Sequence, residues 1–226
     1  MSRGKLIVLC GTDGAGKATQ TKLLIENLRD AGIATETCDF PQYGKPSCYF
    51  VEQYLNGMYG SVEEVGPYRA SLFYALDRYE KSFEMHRTLA AGKHIVSNRY
   101  VSANQAHQGS KISDADEREK FLAWLNELEY GILNIPKPDL TIILYVPPQL
   151  GQKLVEQKKE NRSYLRGKTK DIHEEDLVHL GKTARVYLEL AQQYDTWVTI
   201  QCTEGERLKT RREIAKEVWK HVQRIV

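Results

Sequence analysis

Five short runs of apolar residues alternate with longer segments in which apolar residues recur every three or four positions. The runs are typical of buried strands, and the longer segments are typical of helices that pack one face on a core. The runs cover residues 5–10, 35–40, 94–98, 140–146 and 197–202. This alternation predicts an α/β fold, with a parallel sheet of about five strands and helices on both of its faces.

The segments between the runs predict several helices. Leu24, Leu28 and Ala31 fall at i, i+4 and i+7, directly before Gly32, which suits the end of a helix. Pro67 suits the first turn of a long helix that we expect to reach residue 91. Further helices are expected near residues 47–56, 115–130, 171–194 and 214–222.

The composition narrows the function classes. The 226 residues, of which 41% are hydrophobic, fit a single domain that spans residues 1–226. The net charge is only +2, which argues against a general nucleic-acid or membrane-surface binder. No stretch approaches the length of a membrane span, and the first residues lack the apolar core of a secretory signal. Four cysteines without Cys-x-x-Cys spacing indicate reduced thiols and a cytoplasmic location.

A glycine-rich loop joins the first strand to the first helix. Residues 11–17 match Gly-x-x-x-x-Gly-Lys, which between a strand and a helix is the phosphate loop of nucleotide-binding proteins. Its glycines let backbone N–H groups turn towards an anion, and the helix N-terminus adds partial positive charge. Lys17 is then expected to reach the β- and γ-phosphates of a nucleoside triphosphate. The alternative is a glycine-rich turn that binds no ligand.

The residue after the lysine departs from the phosphate-loop pattern. Position 18 is Ala, where a Ser or Thr hydroxyl normally holds Mg²⁺. Thr19 follows, but it lies about 100° further round the helix and cannot simply take over this role. Either other groups hold the metal, or the loop handles it poorly.

Candidate binding residues follow the ends of the second and third strands, at the edge where open α/β sheets bind ligands. The end of the second strand is followed by Phe40, Pro41 and Tyr43. Arg99, just past the third strand, suits a bidentate grip on phosphate. Residues 101–109 are rich in amide and imidazole groups, which could read the edge of a base or serve as helix caps.

Two further patterns have both a structural and a functional interpretation. Tyr74 and Arg78 are four residues apart on the long helix and share a face. They are either a core aromatic beside a surface arginine or a pair that binds a ligand. The basic tract 158–170 is either a solvated loop or, in a phosphate-transfer protein, a lid whose cations close over the triphosphate.

Together, these motifs resemble those of the thymidylate kinase family over nearly the whole chain. The similar motifs are Gly-x-Asp-Gly-x-Gly-Lys-x-Thr-Gln at 11–20, Phe-Pro-x-Tyr-Gly at 40–44, Leu-Asp-Arg at 76–78, Arg-Tyr at 99–100 with Asn104 and Gln108 beyond it, and Leu-Asn-Ile-Pro-Lys-Pro-Asp at 133–139. The resemblance implies a phosphate-loop kinase fold with a basic lid at about residues 158–172. It also implies a homodimer that uses ATP and Mg²⁺ to convert dTMP to dTDP.

The resemblance implies roles for individual residues as well. The phosphates of ATP would be bound by Gly11, Thr12, Asp13, Gly14, Ala15, Gly16, Lys17, Ala18 and Thr19. The acceptor dTMP would be bound by Asp13, Phe40, Pro41, Tyr43, Tyr74, Arg78, Arg99, Asn104, His107, Gln108, Asp171 and Glu174. Asp13 would hold the sugar 3′-hydroxyl and help to position the metal. Tyr74, or alternatively Phe73, would stack on thymine, and Arg78 would donate to its O4.

Catalysis in such a kinase rests on positive charge. Lys17 would stabilise the transferring phosphoryl group, and Arg99 would clamp phosphate. The loop interior, residues 12–15, contains no Arg or Lys, so a further catalytic cation is expected from the lid, with Arg162 and Arg166 as first candidates. No general base is required, because the attacking group is already an anionic phosphate oxygen.

Besides Ala18, three positions depart from the family pattern. Cys10 and Asn98 stand where acidic residues are usual, and His107 stands where a tyrosine is common. The two lost carboxylates remove charge that could hold Mg²⁺ directly or through water. If charge at position 98 limits metal binding, Asn98→Asp should raise activity sharply. The alternatives are a kinase for another nucleoside monophosphate or a nucleotide-binding relative that has lost catalysis.

Overall fold

The computed structural model describes residues 3–156, 177–205 and 207–226. At its centre lies a five-stranded parallel sheet with the strand order β2-β3-β1-β4-β5. The strands are β1 (Leu6–Gly11), β2 (Thr35–Asp39), β3 (His94–Asn98), β4 (Leu140–Tyr145) and β5 (Trp197–Gln201). Each agrees with an apolar run of the sequence to within one residue at either end. A short antiparallel hairpin, β6 (Thr203–Glu204) with β7 (Arg207–Leu208), follows β5 and is not indicated by the sequence pattern.

Helices lie between the strands and after the last strand. They are α1 (Lys17–Asp30), α2 (Tyr49–Leu55), α3 (Val62–Ala90), α4 (Val101–Gly109), α5 (Ala115–Asn126), α6 (Pro148–Glu156), α7 (Leu177–Gln193) and α8 (Arg211–Val222). The backbone of α3 is non-helical at Gly66, where φ is 71°, so Pro67 begins the straight part of this helix, as predicted. A π-helical turn, Glu127–Ile132, extends α5. None of the helices among the described residues is both long and apolar enough to cross a membrane.

The sheet is covered on both faces, as a parallel sheet requires. Leu6, Val8 and Cys10 of β1 pack against α3, α4 and α7, whereas Ile7 and Leu9 pack against α1 and α8. All five side chains are fully buried. The predicted fold class is therefore confirmed, and the continuous apolar character of β1 follows from burial on two sides.

The strand order brings the carboxyl ends of β2, β3 and β1 next to one another. Asp39 pairs with Asn98 in the register of β2 and β3, and Leu9 pairs with Asn98 in the register of β1 and β3. The phosphate loop leaves β1 at this same edge. Residues far apart in the sequence thus meet at one edge of the sheet.

Candidate active site

The phosphate loop turns directly into the N-terminus of α1. Gly14 and Gly16 have φ values of 79° and 77°, a left-handed conformation that glycine adopts without strain. Gly16 is the N-cap of α1, and no side chain among the described residues caps this helix through a hydrogen bond. The first N–H groups of α1 are therefore open to an anion, as the motif predicts.

Asp13 lies between two cations at the mouth of the loop. The Lys17 ammonium donates to the carbonyl oxygens of Gly11 and Thr12 at 3.1 and 2.8 Å, and it lies 3.4 Å from the Asp13 carboxylate. Arg99 forms an ion pair with the same carboxylate oxygen. The structure thus brings together three of the residues that the sequence analysis assigns to catalysis.

These three charges shift one another's pKa values. Burial would raise the pKa of the Asp13 carboxyl, but the charges of Arg99 and Lys17 outweigh burial and hold this pKa well below its usual range. Burial and the charge of Arg99 lower the pKa of Lys17 to about 8, although Asp13 acts in the opposite direction. Burial also opposes the charge on Arg99, yet Asp13 raises its pKa overall. The negative charge of a bound triphosphate would favour the protonated form of Lys17.

Arg99 is held in an unusual backbone conformation. Its φ of 62° lies in the left-handed region that residues other than glycine rarely adopt. Its N–H donates to the Leu9 carbonyl at 2.8 Å, and its carbonyl accepts from the Ser97 hydroxyl at 2.6 Å. One guanidinium nitrogen lies 3.1 Å from Nε2 of His107 on α4. The guanidinium is therefore fixed between α4 and the phosphate loop.

Cys10 lies beneath the loop, where two hydroxyl groups contact its thiol. The Ser102 hydroxyl donates to its Sγ at 3.0 Å, and the Tyr187 hydroxyl lies 3.5 Å from the same atom. Burial raises the pKa of Tyr187 well above its ordinary value, so this hydroxyl stays neutral. Neither neighbour is a carboxylate, so neither supplies the acid that the motif resemblance leads us to expect at position 10.

The turn after β2 is anchored to α3. The Phe40 ring is buried, with its centre 5.6 Å from that of Tyr100, and the peptide bond before Pro41 is cis. The backbone N–H of Gln42 donates to the Asp77 carboxylate at 2.9 Å, and its side-chain amide donates to the Asp77 carbonyl at 2.9 Å. Asp77 thereby fixes the turn that the sequence analysis assigns to the acceptor pocket.

Arg78 is almost fully buried and pairs with Glu129. Its Nε donates to one carboxylate oxygen at 2.7 Å, and a terminal nitrogen donates to the other. The side-chain amide of Asn104 also donates to Glu129, at 3.2 Å. Gln108, one turn further along α4, is buried and accepts from Lys111 at 2.6 Å. Glu129 thus joins Arg78 and Asn104, whose contacts with a base stay predictions. It lies on a π-helical turn, a distortion that frequently marks functional sites.

Tyr74 and Phe73 belong to a cluster of aromatic rings next to α2. The Tyr74 ring lies edge-on to Tyr54, with 6.4 Å between the ring centres. The Phe73 ring stacks on Phe50 at 5.8 Å. Both side chains are partly buried against this cluster, and the choice between them as the residue that stacks on thymine stays a prediction.

An open cavity of about 580 Å³ lies beside the loop, between α1 and the ends of β2 and β3. Ala18 and Thr21 line it from the helix, and Asp39 and Asn98 line it from the strands. Desolvation raises the pKa of the Asp39 carboxyl, against the opposing charge of Arg99. The side chain that replaces Ser or Thr in the loop therefore faces a space that also contains a carboxylate.

Several predicted site residues lie outside the described residues. They are Arg162, Arg166, Asp171 and Glu174, together with the rest of the proposed lid at 158–172. Their roles stay predictions.

The sequence analysis missed three acidic residues of the site: Asp39, Asp77 and Glu129. One signal was present for Asp77, because it lies in a helix that is expected to pack on the core, where a buried charge needs a polar partner. Glu129 gave a weaker signal, since it lies only four residues beyond the buried Leu125. For Asp39 the sequence offered only its place at a strand end.

Comparisons with known proteins identify the family. The sequence model of thymidylate kinases matches residues 9–214 of the chain. The chain belongs to the thymidylate kinase family. Within it, the thymidylate kinase of Mycobacterium tuberculosis is 29% identical over 189 residues, which cover 83% of this chain and 86% of that protein. A probable thymidylate kinase of Pyrobaculum aerophilum is 32% identical over 173 residues, which cover 74% and 80%.

A human relative and a solved structure are also similar to this chain. The thymidylate kinase of Homo sapiens is 32% identical over 143 residues, covering 63% of this chain and 61% of the human protein. The structure of thymidylate kinase from Candida albicans, described as revealing the origin of that enzyme's broad substrate specificity, superposes with a TM-score of 0.76. It is 22% identical and covers 99% of this chain and 92% of its own. The resemblance inferred from the motifs and the fold that it implies are thereby confirmed.

The close approach of α6 to the phosphate loop yields a first prediction. A Cβ added at Gly151 would lie 2.5 Å from the Asp13 carbonyl oxygen, so Gly151→Ala must push the loop away. We expect the affinity for ATP, measured by calorimetry, to fall about tenfold, or ~1.4 kcal/mol. Gly181→Ala on α7 is the matched control, since no heavy atom lies within 4 Å of its added Cβ. Equal ATP affinities in the two variants would contradict the loop contact.

The buried pair of Arg78 and Glu129 yields a second prediction. Glu129→Gln leaves the guanidinium buried without its charge partner, and we expect a loss of about 3–5 kcal/mol in the free energy of unfolding by urea. Glu117→Gln removes an exposed carboxylate whose ion-pair partner among the described residues is Lys120, and this control should change stability little. A similar small change in both variants would show that Arg78 is not held by this pair.

Proposed function

We propose that the protein is an ATP-dependent kinase that transfers the γ-phosphoryl group of ATP to dTMP and forms dTDP. The observation that carries this proposal is the meeting of Lys17, Asp13 and Arg99 at the N-terminus of α1 in a chain of the thymidylate kinase family. Two fixed cations beside an anion-binding loop suit a reaction in which catalysis is mainly positioning and neutralisation of charge.

The described residues divide the reaction between them. The backbone of residues 11–19 would bind the phosphates of ATP, and Lys17 would exchange its present carbonyl contacts for phosphate oxygens. Arg99 would hold the acceptor phosphate in line with the donor, and Asp13 would orient both the cations and the acceptor sugar. Since the acceptor phosphate oxygen is already anionic, none of these residues needs to remove a proton from it.

The residues beside the loop fit Mg²⁺, which kinases use to neutralise phosphate charge. A hard cation prefers carboxylate, amide and hydroxyl oxygens, and all three kinds line the cavity next to Ala18. Asp13, the ligand that the sequence predicts, shares its carboxylate with Lys17 and Arg99. When bound, Mg²⁺ would neutralise phosphate charge. Its position would be set without the Ser or Thr hydroxyl that phosphate loops normally have at position 18.

An assay of ADP release with ATP and Mg²⁺ tests the proposal directly. Turnover should be strongest with dTMP among dTMP, dUMP, UMP, CMP and AMP. Stronger turnover with another acceptor would assign a different substrate to this kinase and direct attention to Tyr74, Arg78 and His107. Absence of turnover with all five, while calorimetry still detects binding of dTMP or ATP, would favour a binding protein and overturn the proposed activity.

The phosphate loop itself yields the third prediction. We expect Lys17→Ala to lower turnover by at least about 100-fold, because the buried ammonium is lost from the position of developing negative charge. The fold should persist, as judged by circular dichroism and thermal unfolding. Lys216→Ala, which removes an exposed cation of α8, is the control. Near-native turnover of the Lys17 variant would be incompatible with the proposed role of the loop.

We also infer a homodimer, from an apolar stripe on the outer face of α3. Its members follow at i, i+4, i+7 and i+11 and are between 38% and 54% exposed: Leu72, Leu76, Tyr79 and Phe83. A stripe of large apolar side chains along one helix is typical of an interface. In a twofold dimer the same stripe would serve both subunits, and the motif resemblance implies the same assembly.

The stripe yields the fourth prediction. Leu76→Glu should shift the protein to monomers in sedimentation velocity, since each subunit would bury an unpaired carboxylate in an apolar interface. Ile132→Glu changes an equally apolar residue that is 70% exposed but lies off the stripe, and this control should remain dimeric. A monomeric wild-type protein, or a dimeric Leu76 variant, would contradict the inferred assembly.

The proposed location is the cytoplasm. All four cysteines are buried free thiols: Cys10, Cys38, Cys48 and Cys202. This is what a reducing compartment favours.

A further inference from the structure

The side chains of Asp39 and Asn98 meet at the carboxyl ends of two neighbouring strands. The two residues are register partners in β2 and β3. The Asn98 amide donates to the Asp39 carboxylate at 2.9 Å. Since the amide nitrogen is thereby engaged, the remaining acceptor is Oδ1, which is buried and has no hydrogen-bond partner among the described residues. A carboxylate therefore lies directly beside position 98, where the motif resemblance leads us to expect one.

Thr21, which lines the same cavity, carries a second such oxygen. Thr21 is only 8% exposed, and its hydroxyl has no hydrogen-bond partner among the residues that the structure describes. It lies one helical turn beyond Ala18, so the two residues lie close to the same face of α1. Buried polar atoms normally have a partner, which here points to a ligand or water in the cavity. The carboxylate, the amide oxygen and the hydroxyl are all ligand types that Mg²⁺ accepts.

The cavity is electrostatically connected to the catalytic cations. The charges of Arg99 and Lys17 both act on the Asp39 carboxylate, and Ala18 directly follows Lys17. The other charged residues of the cavity wall are Lys22, Glu26, Arg29, Lys45 and Lys81. Because cations outnumber carboxylates on this wall, a divalent metal is favoured there only together with phosphate. The cavity therefore suits a metal–nucleotide complex better than a free metal ion.

We propose that Asp39 supplies, from β2, the negative charge that Asn98 lacks on β3, and that the Asp39 carboxylate and Asn98 Oδ1 hold the divalent cation that accompanies ATP. The proposal rests on the proposed kinase function. Ala18 contributes space in place of a hydroxyl. It follows that Asn98→Asp alone, by placing a second carboxylate against the first, should not raise activity sharply, unlike the expectation from the sequence.

A charge exchange tests the proposal without relying on turnover. The affinity for Mn²⁺, in the presence of saturating ADP, is measured by electron paramagnetic resonance. We expect Asp39→Asn to weaken Mn²⁺ binding about 10- to 100-fold, as loss of a metal-site residue typically does. The double variant Asp39→Asn with Asn98→Asp should recover most of this loss. Glu26→Gln, which removes another carboxylate of the same cavity wall, is the control and should bind Mn²⁺ like the wild type.

The outcomes distinguish a direct effect of the Asp39 carboxylate on Mn²⁺ binding from a general effect of removing negative charge. Equal Mn²⁺ affinities of the wild type and Asp39→Asn would overturn the proposal. So would an equal loss in Glu26→Gln, or a double variant that stays as weak as Asp39→Asn. Binding of ADP without metal is measured beside it: a loss of ADP affinity in Asp39→Asn as large as the loss of Mn²⁺ affinity would also overturn the proposal.

A second measurement uses the unaltered protein. Fe²⁺ bound in place of Mg²⁺, with ascorbate and peroxide, cleaves the backbone next to the metal, and mass spectrometry locates the cuts. Cuts near residues 39 and 98 that Mg²⁺ suppresses would support the proposal, and cuts confined to the region of Asp13 would refute it. Turnover of dTMP by the wild type decides the kinase function separately, so either idea can fail while the other stands.

Discussion

A single carboxylate shared by two cations is the interaction on which the candidate site depends. Asp13 holds Lys17 and Arg99 in place, and without it two positive charges would face each other in a partly buried space. The arrangement also joins the loop after β1 to the end of β3. It gives the phosphate-binding groups a fixed geometry before any nucleotide arrives, which is what pre-organised electrostatic catalysis requires.

The general architecture is readable in the sequence because it depends on local patterns. Between two helical layers, every residue of β1 from Leu6 to Cys10 must be apolar, and this produces a run that is easy to recognise. The left-handed backbone at positions 14 and 16 favours glycine, and the first turn of the straight part of α3 favours proline at position 67. Each of these constraints acts within a few residues, so it produces a local pattern that can be recognised in the sequence.

The polar contacts of the site could not be predicted because they depend on which elements become neighbours. Glu129 meets Arg78 across 51 residues, Asp77 meets Gln42 across 35, and Asp39 meets Asn98 across 59. No periodicity connects such pairs, and each carboxylate alone resembles an ordinary surface residue. The π-helical turn that carries Glu129 adds a residue to the helical turn, which moves this side chain off the face that a regular helix would predict.

Helix α3 carries both its buried polar contacts and its exposed apolar stripe on consecutive residues. Asp77 and Arg78 face inward, towards the turn after β2 and towards Glu129, while Leu76 and Tyr79 on either side of them face outward. Any rotation of the helix about its axis must therefore disturb both faces together. A partner bound to the outer face would therefore contact the same helix that positions the residues expected to contact the base.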